Sequence, residues 1–169
     1  ADRDVIGFLS GFPKDKQQPN LLLAAVRHRF GTPAHWPHFR ELLLSDRDGV
    51  RAVMQSRSTQ TNEPARCATL LPVLARLPQP LALIEVGASA GLCLLPDRYG
   101  YDYGRVILPT GARSPTFRCA ANDAVPVPAM LPRIVWRVGL DLNPLDIDDP
   151  SQVAWLETLV WPEQAGRLA

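Results

Sequence analysis

The stretch "LALIEVGASAGLCLL", residues 81–95, predicts a buried strand that turns on a glycine-rich loop directly into a helix. Its loop, residues 87–91 and called the glycine loop below, has the form G-x-S-x-G of a hydrolase nucleophile elbow. With Glu85 the pattern lengthens to E-x-G-x-S-x-G. The dinucleotide fingerprint G-x-G-x-x-G is not matched, because Ser89 and Leu92 occupy two of its three glycine positions.

The composition is that of an ordinary soluble globular protein. With 169 residues, 46% of them hydrophobic and 21% charged, the chain is long enough for one domain with a substantial core. The net charge is +1, and the basic residues, nearly all of them Arg, are scattered along the chain. A nucleic-acid-binding protein would normally show a basic face or stripe. The sequence therefore predicts no dedicated nucleic-acid surface.

The sequence also predicts no membrane partner. No apolar run approaches the roughly 20 residues that span a bilayer, and the N-terminal segment has no apolar core of signal-peptide length. We therefore expect a cytoplasmic protein. The chain opens on Ala rather than Met, which leaves open that its natural N-terminus is missing.

The cysteines and histidines predict neither a disulfide framework nor a metal site. Cys67, Cys93 and Cys119 are odd in number and 26 residues apart, which does not fit the short C-x-x-C spacing of zinc ligands. We expect them to be reduced and mostly buried. His35 and His38 form an H-x-x-H pair, but a proline lies between them and no second pair of ligands follows.

The chain is predicted to divide at "LPQP", residues 77–80, because proline disfavours helix at its own position and just before it. Residues 1–80 are predicted to be a helical N-terminal region, and residues 81–169 an α/β core. Helix starts are expected in four segments: "NLLLAAVRHRF" with Asn20 as cap, "HWPHFRELLL", "SDRDGVRAVMQS" with Ser45 and Asp48 at capping-box spacing, and "NEPARCATLLPVLARL" with Pro64 in the first turn.

The core is predicted to be a parallel α/β arrangement. Residues 81–86 are a continuous apolar run, typical of a central parallel strand covered on both faces. A second buried strand is expected to end near Leu142. Between the two, residues of about 97–133 are rich in Gly and Pro and are predicted to form a hairpin-bearing insertion.

A helix is expected after the second strand, capped by Asp148 or Asp149. Its apolar residues lie along one face that would pack onto the sheet: Val153, Leu156 and Val160. The order of strand, helix, strand and helix is typical of a parallel sheet.

A hydrolase interpretation of the glycine loop lacks a base. In the α/β-hydrolase order the histidine follows the serine, and no histidine follows Ser89. The three histidines, His28, His35 and His38, all belong to the helical region. A serine hydrolase with Ser89 as nucleophile remains the less favoured alternative, with a C-terminal part absent or a histidine brought close by the fold.

A nucleoside interpretation gains from a second feature, Asp141 in "VGLDLNP", residues 138–144. In Rossmann-like sites the loop after the first strand lets the ligand approach the backbone, and an acid at the tip of the second strand accepts the ribose hydroxyls. That acid normally follows the glycine loop by about 20 residues. Here Asp141 follows Glu85 by 56, and the insertion accounts for the excess.

These motifs resemble two known patterns. "EVGASAG" followed by "GLDLNP" resembles motifs one and two of the class I S-adenosylmethionine-dependent methyltransferases, E/D-x-G-x-G-x-G and G-x-D-x-S/N-P. More closely, "QTNEPARCATLLPVL", "IEVGASAGLCLLPDRYGYDYG" and "RVGLDLNPLDIDDPSQVAWLETLVWPEQ" resemble a family of uncharacterised bacterial proteins, a domain of unknown function with a methyltransferase-like core behind a helical region. The similarity covers most of residues 17–165. It implies a partial Rossmann-like fold and carries no established reaction.

The methyltransferase resemblance implies that Gly87 and Gly91 lie against the ligand, Glu85 near its amino-acid end and Asp141 on its ribose. The implied cofactor-binding set is Glu85, Gly87, Ala88, Ser89, Gly91, Asp141, Leu142 and Asn143. Ser89 replaces the middle glycine of the pattern and narrows the space above the loop. Its alternative role is to cap a helix beginning near Ala90. The alternative for Glu85 and Asp141 is a solvated carboxylate at a strand end.

Further candidate pocket residues lie on either side of the loop. Asn62, Glu63 and Arg66 precede a helix that must abut the glycine loop, and could meet a ligand's carboxylate or amine. The alternative is that these residues cap the helix and form an ion pair at the surface. Tyr99 begins an alternating aromatic stripe that would suit a sulfonium cation, or would be core.

The favoured hypothesis is a protein that binds a small-molecule nucleoside ligand, with S-adenosylmethionine as cofactor and an unidentified methyl acceptor. The rival is a non-catalytic binding or scaffold protein with the same fold, so enzymatic activity is left open and no catalytic residue is named. The sequence carries about two of the seven strands of a methyltransferase sheet. Either a C-terminal half is missing or another copy covers the sheet, which leaves a homo-oligomer open.

Overall fold

The computed structural model describes residues 2–60 and 62–164, which form two compact units. The helical unit combines residues 2–60 with 149–164, and the mixed α/β unit comprises residues 62–148. The predicted division lay between residues 80 and 81. The structure instead places the helix before residue 80 in the α/β unit, and the last helix in the helical unit.

The described residues form six α-helices and two small sheets. The helices are α1 Arg3–Ser10, α2 Pro19–Phe30, α3 Trp36–Ser45, α4 Arg47–Ser56, α5 Arg66–Leu74 and α6 Pro150–Thr158. The strands are β1 Leu81–Val86, β2 Gly100–Asp102, β3 Ile107–Leu108, β4 Thr116–Arg118 and β5 Ile134–Leu140. Single 3-10 turns occupy Lys14–Lys16 and Leu92–Leu94. Within the described ranges, no helix is long and apolar enough to cross a membrane.

The helical unit is held together by apolar side chains of α1 to α4 and α6. Trp155 of α6 lies in this core with Val26, Leu43 and Met54, and its indole N–H donates to the Ser58 carbonyl at 3.0 Å. The sequence predicted that α6 packs onto the sheet through the face that contains Val153. Instead its most deeply buried side chain is Trp155, because a large aromatic ring buries more apolar area than the smaller residues of that face.

The helix caps follow the sequence in part. Asp149 caps α6 as predicted, accepting the Ser151 N–H at 2.8 Å. The caps expected for α2 and α4 are wrong, because a neighbouring residue takes the cap position of each helix. α2 begins at Pro19, one residue before Asn20. α4 is capped by Asp46, whose carboxylate accepts the Gly49 N–H at 2.9 Å, because Ser45 still belongs to the end of α3.

β1 and β5 lie side by side and parallel, as the sequence predicted. Ile84 pairs with Val138, and Val86 with Leu140, so the carboxyl ends of both strands meet at one edge. β5 ends at Leu140, two residues earlier than expected.

The prediction that these strands are covered on both faces is wrong. Ile84 and Val86 are 65% and 82% exposed, and Trp136 and Leu140 are also exposed. In a parallel pair, partners in register share a face, so these side chains form one apolar face of the two-stranded sheet.

Residues 97–133 contain a hairpin, as the sequence predicted. β2 and β3 pair antiparallel as a hairpin, and β4 adds to β2 in parallel, which gives the order β3-β2-β4. Tyr101 and Tyr103 from this sheet pack with Cys67 and Leu71 of α5 in the core of the α/β unit. The insertion therefore forms its own small layer against α5.

Candidate functional site

The site is built where β1 and β5 end. The Ser89 N–H donates to Asp141 Oδ2 at 2.7 Å, and the Asn143 N–H donates to Asp141 Oδ1 at 2.8 Å. The Gly87 N–H donates to the Leu140 carbonyl at 2.7 Å. The glycine loop and Asp141 thus lie at the same carboxyl edge, as predicted from the parallel strands.

These hydrogen bonds keep Asp141 ionised. The N–H groups of Asn143 and Ser89 donate to the negatively charged carboxylate, and they hold the pKa of Asp141 below its ordinary value. A carboxylate has about four lone-pair positions, so each oxygen retains capacity for another donor. Asp141 therefore holds the loop and the following turn, and its oxygens retain further acceptor positions.

The glycine loop is left-handed at three alternating positions. Gly87, Ser89 and Gly91 have φ values of 79°, 51° and 73°. Ser89 therefore carries a side chain in a conformation that favours glycine. The helix expected near Ala90 is replaced by the 3-10 turn Leu92–Leu94, and the left-handed Gly91 stands directly before that turn.

The side chain of Ser89 is buried and does not cap a helix. Ser89 is only 7% exposed, and its Oγ has no hydrogen-bond partner within the described residues. The alternative prediction of a Ser89 helix cap is therefore wrong. A buried hydroxyl without a partner costs stability, so its presence here needs a compensating gain.

Gly139 of β5, which is not among the predicted site residues, makes the close approach of the loop feasible. A Cβ at this position would lie 2.6 Å from the Ala88 Cβ, which is too close for any real side chain. The signal was available, because Gly139 stands two residues before Asp141 in "GLDLNP". A glycine in a strand often marks such a backbone approach.

A polar cluster lies beside the loop, between the start of α5 and β1. Burial raises the pKa of Glu85, while the Arg66 guanidinium and a hydrogen bond from Cys93 act in the opposite direction. The Cys93 Sγ also lies 3.3 Å from the Glu63 carbonyl oxygen. The structure therefore places Glu63 and Arg66, which the sequence proposed as one group, beside Glu85.

Two atoms in and near this cluster are buried without a hydrogen-bond partner in the described chain. They are Glu85 Oε2 and Asn62 Nδ2. One is an acceptor when Glu85 is ionised, and the other is a donor. Both belong to residues that the sequence proposed for ligand contact.

Other predicted site residues lie in different surroundings. Tyr99 is buried in the core of the α/β unit, and its hydroxyl donates to the Leu92 carbonyl at 2.7 Å. Burial raises the pKa of Tyr99 to about 12. Leu142 is 98% exposed, directly after Asp141.

One surface cavity of about 410 Å³ lies on the outward side of α5. Thr69, Pro72 and Val73 line it together with Val125 and Pro126. None of the predicted site residues is among its lining residues.

The described ranges contain no cluster of three or more His, Cys, Asp and Glu side chains that could hold a metal ion. Residues 62–148 also contain no histidine. The unit that carries Ser89 thus has no imidazole of its own to act as a base for that serine.

Comparison with known proteins places the chain in a family. No curated protein and no solved structure matches it. A family model described as an uncharacterized protein conserved in bacteria matches residues 28–169. This agrees with the resemblance to a bacterial domain of unknown function. Because the match spans well over half of the chain, the protein belongs to the bacterial family DUF2332.

Proposed function

We propose that the protein binds an adenosyl ligand at the carboxyl edge of β1 and β5, which would be the first strands of a Rossmann-like sheet. The observation that carries this proposal is the hydrogen bond from the Ser89 N–H to Asp141, since it joins the glycine loop to the acid at the second strand end. In open α/β sheets, ligands bind outside the carboxyl ends of the strands.

The charge and exposure of Asp141 suit a ribose. Its carboxylate is half-buried and ionised, and its oxygens hold lone pairs beyond those used by Ser89 and Asn143. Two vicinal hydroxyls could donate to these positions without breaking the hydrogen bonds of the loop. A Cβ at the left-handed Gly87 would meet nothing within 4 Å, so the backbone there is open to a ligand.

The unpartnered buried atoms fit the polar ends of the same ligand. Ser89 Oγ can donate to a carboxylate, Glu85 Oε2 can accept from an ammonium group, and Asn62 Nδ2 can donate to an oxygen. Leaving such a group unsatisfied typically costs about 1–3 kcal/mol. A zwitterionic amino-acid end supplies both kinds of partner.

S-Adenosylmethionine has these features, and we propose it as the cofactor, with methyl transfer to an acceptor as the reaction. The sulfonium group, when bound, supplies an activated methyl group. The residues of this chain would bind the adenosyl and amino-acid ends and fix the direction of the methyl carbon. Asp141 would orient the ribose, and Glu85 with Arg66 would hold the charged end.

Calorimetric titration tests this proposal. We expect S-adenosylmethionine and S-adenosylhomocysteine to bind the protein, and Asp141→Asn to weaken both by roughly tenfold or more. Asn143→Ala is the matched control, because it keeps the backbone N–H that donates to Asp141 and should change the affinity much less. Absence of heat from both ligands with the folded protein would contradict the proposal.

A binding or scaffold protein without turnover is the second candidate. The two backbone hydrogen bonds to Asp141 favour it, because they give the carboxylate a structural role that needs no ligand. In that case Asp141→Asn lowers the melting temperature while no adenosyl ligand binds. If the protein were a serine hydrolase, a phosphonate probe would label Ser89. The burial of the Ser89 hydroxyl disfavours that reaction.

A further inference from the structure

Two cysteine side chains lie against each other beside the candidate site. Cys67 is the second residue of α5 and is 1% exposed, whereas Cys93 stands in the 3-10 turn after the glycine loop and is half-buried. The two thiols are close enough to shift each other's pKa in opposite directions. The Cys67 Sγ also lies 3.6 Å from the Cys93 carbonyl oxygen. Cys67 and Cys93, called the thiol pair below, are thus in direct contact although 26 residues separate them.

The surroundings make the two thiols unequal. The neighbouring Cys67 side chain lowers the pKa of the Cys93 thiol, and Arg66 acts in the same direction, although burial and the carboxylates of Glu85 and Glu63 oppose it. The Cys93 side chain, together with burial, raises the pKa of the Cys67 thiol. A half-exposed thiol with stabilised thiolate is the usual attacking group in disulfide exchange, and a buried neighbour is the usual second group.

Cys119 provides an internal contrast. It is half-buried like Cys93, but its sulfur contacts the carbonyl of the adjacent residue Ala120, at 4.0 Å, rather than another cysteine. Exposure alone therefore does not distinguish Cys93 from Cys119. The neighbouring thiol and the guanidinium of Arg66 do.

We propose that the thiol pair is a modification site for low-molecular-weight disulfides and ends as an intramolecular Cys67–Cys93 disulfide. The Cys93 thiolate attacks one sulfur of the small disulfide, forms a mixed disulfide and releases one small thiolate. The sulfur of Cys67 then attacks the Cys93 sulfur and releases the second thiolate. The protons of Cys67 and Cys93 end on the two released thiols, so two protein thiols are oxidised and one small disulfide is reduced.

The product would link the first turn of α5 to the turn that follows the glycine loop. A disulfide requires the two Cα atoms to lie about 4.4–6.8 Å apart. The 3.6 Å contact of the Cys67 Sγ with the Cys93 carbonyl oxygen shows that the two residues are neighbours. This inference is independent of the proposed adenosyl ligand, since it concerns the chemistry of the cysteines alone.

Oxidised glutathione is the probe that tests it. The folded protein is treated with the probe, its remaining thiols are alkylated, and the unreduced digest is analysed by mass spectrometry. We expect a peptide of Cys67 joined to a peptide of Cys93, with Cys119 alkylated. Glutathione attached to Cys119 alone, or alkylated Cys67 and Cys93 after treatment, would overturn the proposal.

Variants separate the two steps. Cys67→Ser should retain glutathione on Cys93, because the second sulfur is absent, and Cys67→Ala serves if the serine is not tolerated in the core. Cys93→Ser should leave Cys67 unmodified, since Cys67 is buried. Cys119→Ser is the matched control and should form the same cross-link as the parent protein. A cross-link that depends on Cys119 would also overturn the proposal.

Discussion

The Asp141 carboxylate accepts the backbone N–H of Ser89 at 2.7 Å, across 52 residues of sequence. This contact fastens the loop after β1 to the end of β5. The other carboxylate oxygen accepts the N–H of Asn143 and closes the turn after β5. One side chain therefore shapes both segments at the carboxyl edge of the parallel pair.

The first prediction concerns the pH dependence that this contact creates. The pKa of Asp141 is lowered by the N–H groups of Asn143 and Ser89, so its ionised form stabilises the folded protein above the ordinary carboxyl pKa of about 3.9. That stability is lost as the pH falls through the lowered pKa. Asp141→Asn should melt at a lower temperature than the parent protein near neutral pH, and the difference should shrink below about pH 4. Equal melting temperatures at neutral pH would contradict this.

Glu85 should behave in the opposite way. Burial raises its pKa, so its contribution to stability is full below the ordinary value of about 4.3 and is lost as the pH rises through the raised value. Glu85→Gln removes the buried charge and keeps a similar shape. In the absence of ligand, we expect this variant to melt at a higher temperature near neutral pH, and to match the parent protein in acid.

The control for Glu85 is Glu157→Gln, on the exposed side of α6, which should leave the melting temperature unchanged. If Glu85→Gln is destabilised at neutral pH, the attraction of Arg66 outweighs the cost of burial and the prediction fails.

Replacement of Ser89 by glycine should stabilise the unliganded protein. Glycine accepts a φ of 51° without strain, and the unpartnered hydroxyl is removed, while the N–H that donates to Asp141 is kept. We expect the free energy of unfolding to rise by roughly 1 kcal/mol. Ser89→Ala is the comparison, since it removes the hydroxyl and keeps the strain. Denaturant unfolding of both variants measures the difference, and a Ser89→Gly protein less stable than Ser89→Ala would be inconsistent with a strained loop.

Gly139→Ala should displace the glycine loop. The new methyl group would overlap the Ala88 side chain at 2.6 Å and also approach Leu94. Overpacking of this kind typically costs about 1–3 kcal/mol. Hydrogen exchange of the Ser89 amide should accelerate, because the loop can no longer close onto Asp141. Gly7→Ala in α1 is the control, since a Cβ there meets nothing within 4 Å, and unchanged exchange at Ser89 in Gly139→Ala would count against the account.

The sequence was sufficient to predict the parallel pair and its edge. A continuous apolar run before a glycine loop, and a second run before an acid, leave few arrangements open once the strands are parallel. The placement of the glycine loop beside Asp141 follows from that topology. The hairpin of the insertion was likewise visible in its alternating residues and turn formers.

Other features depend on contacts that local patterns do not contain. A helix after Ser89 was expected from the strand–loop–helix pattern, but the hydrogen bond to Asp141 and the left-handed Gly91 hold the loop in another shape. The position of α6 depends on the core in which the indole of Trp155 is buried. An amphipathic face predicts that a helix packs on something, but it does not specify which part of the protein it packs on. The contact of Cys67 with Cys93 was hidden because their spacing matches no known motif.

The backbone amide signals of Gly87, Ser89 and Asn143, followed by NMR during titration with S-adenosylhomocysteine, test the proposed binding edge. We predict saturable shifts at all three amides, with unchanged signals in α4 of the helical unit. The same titration of Asp141→Asn should need a concentration roughly tenfold higher or more to reach half-saturation. Unperturbed signals at these three positions, in a protein whose spectrum shows that it is folded, would contradict an adenosyl site at the carboxyl edge of β1 and β5.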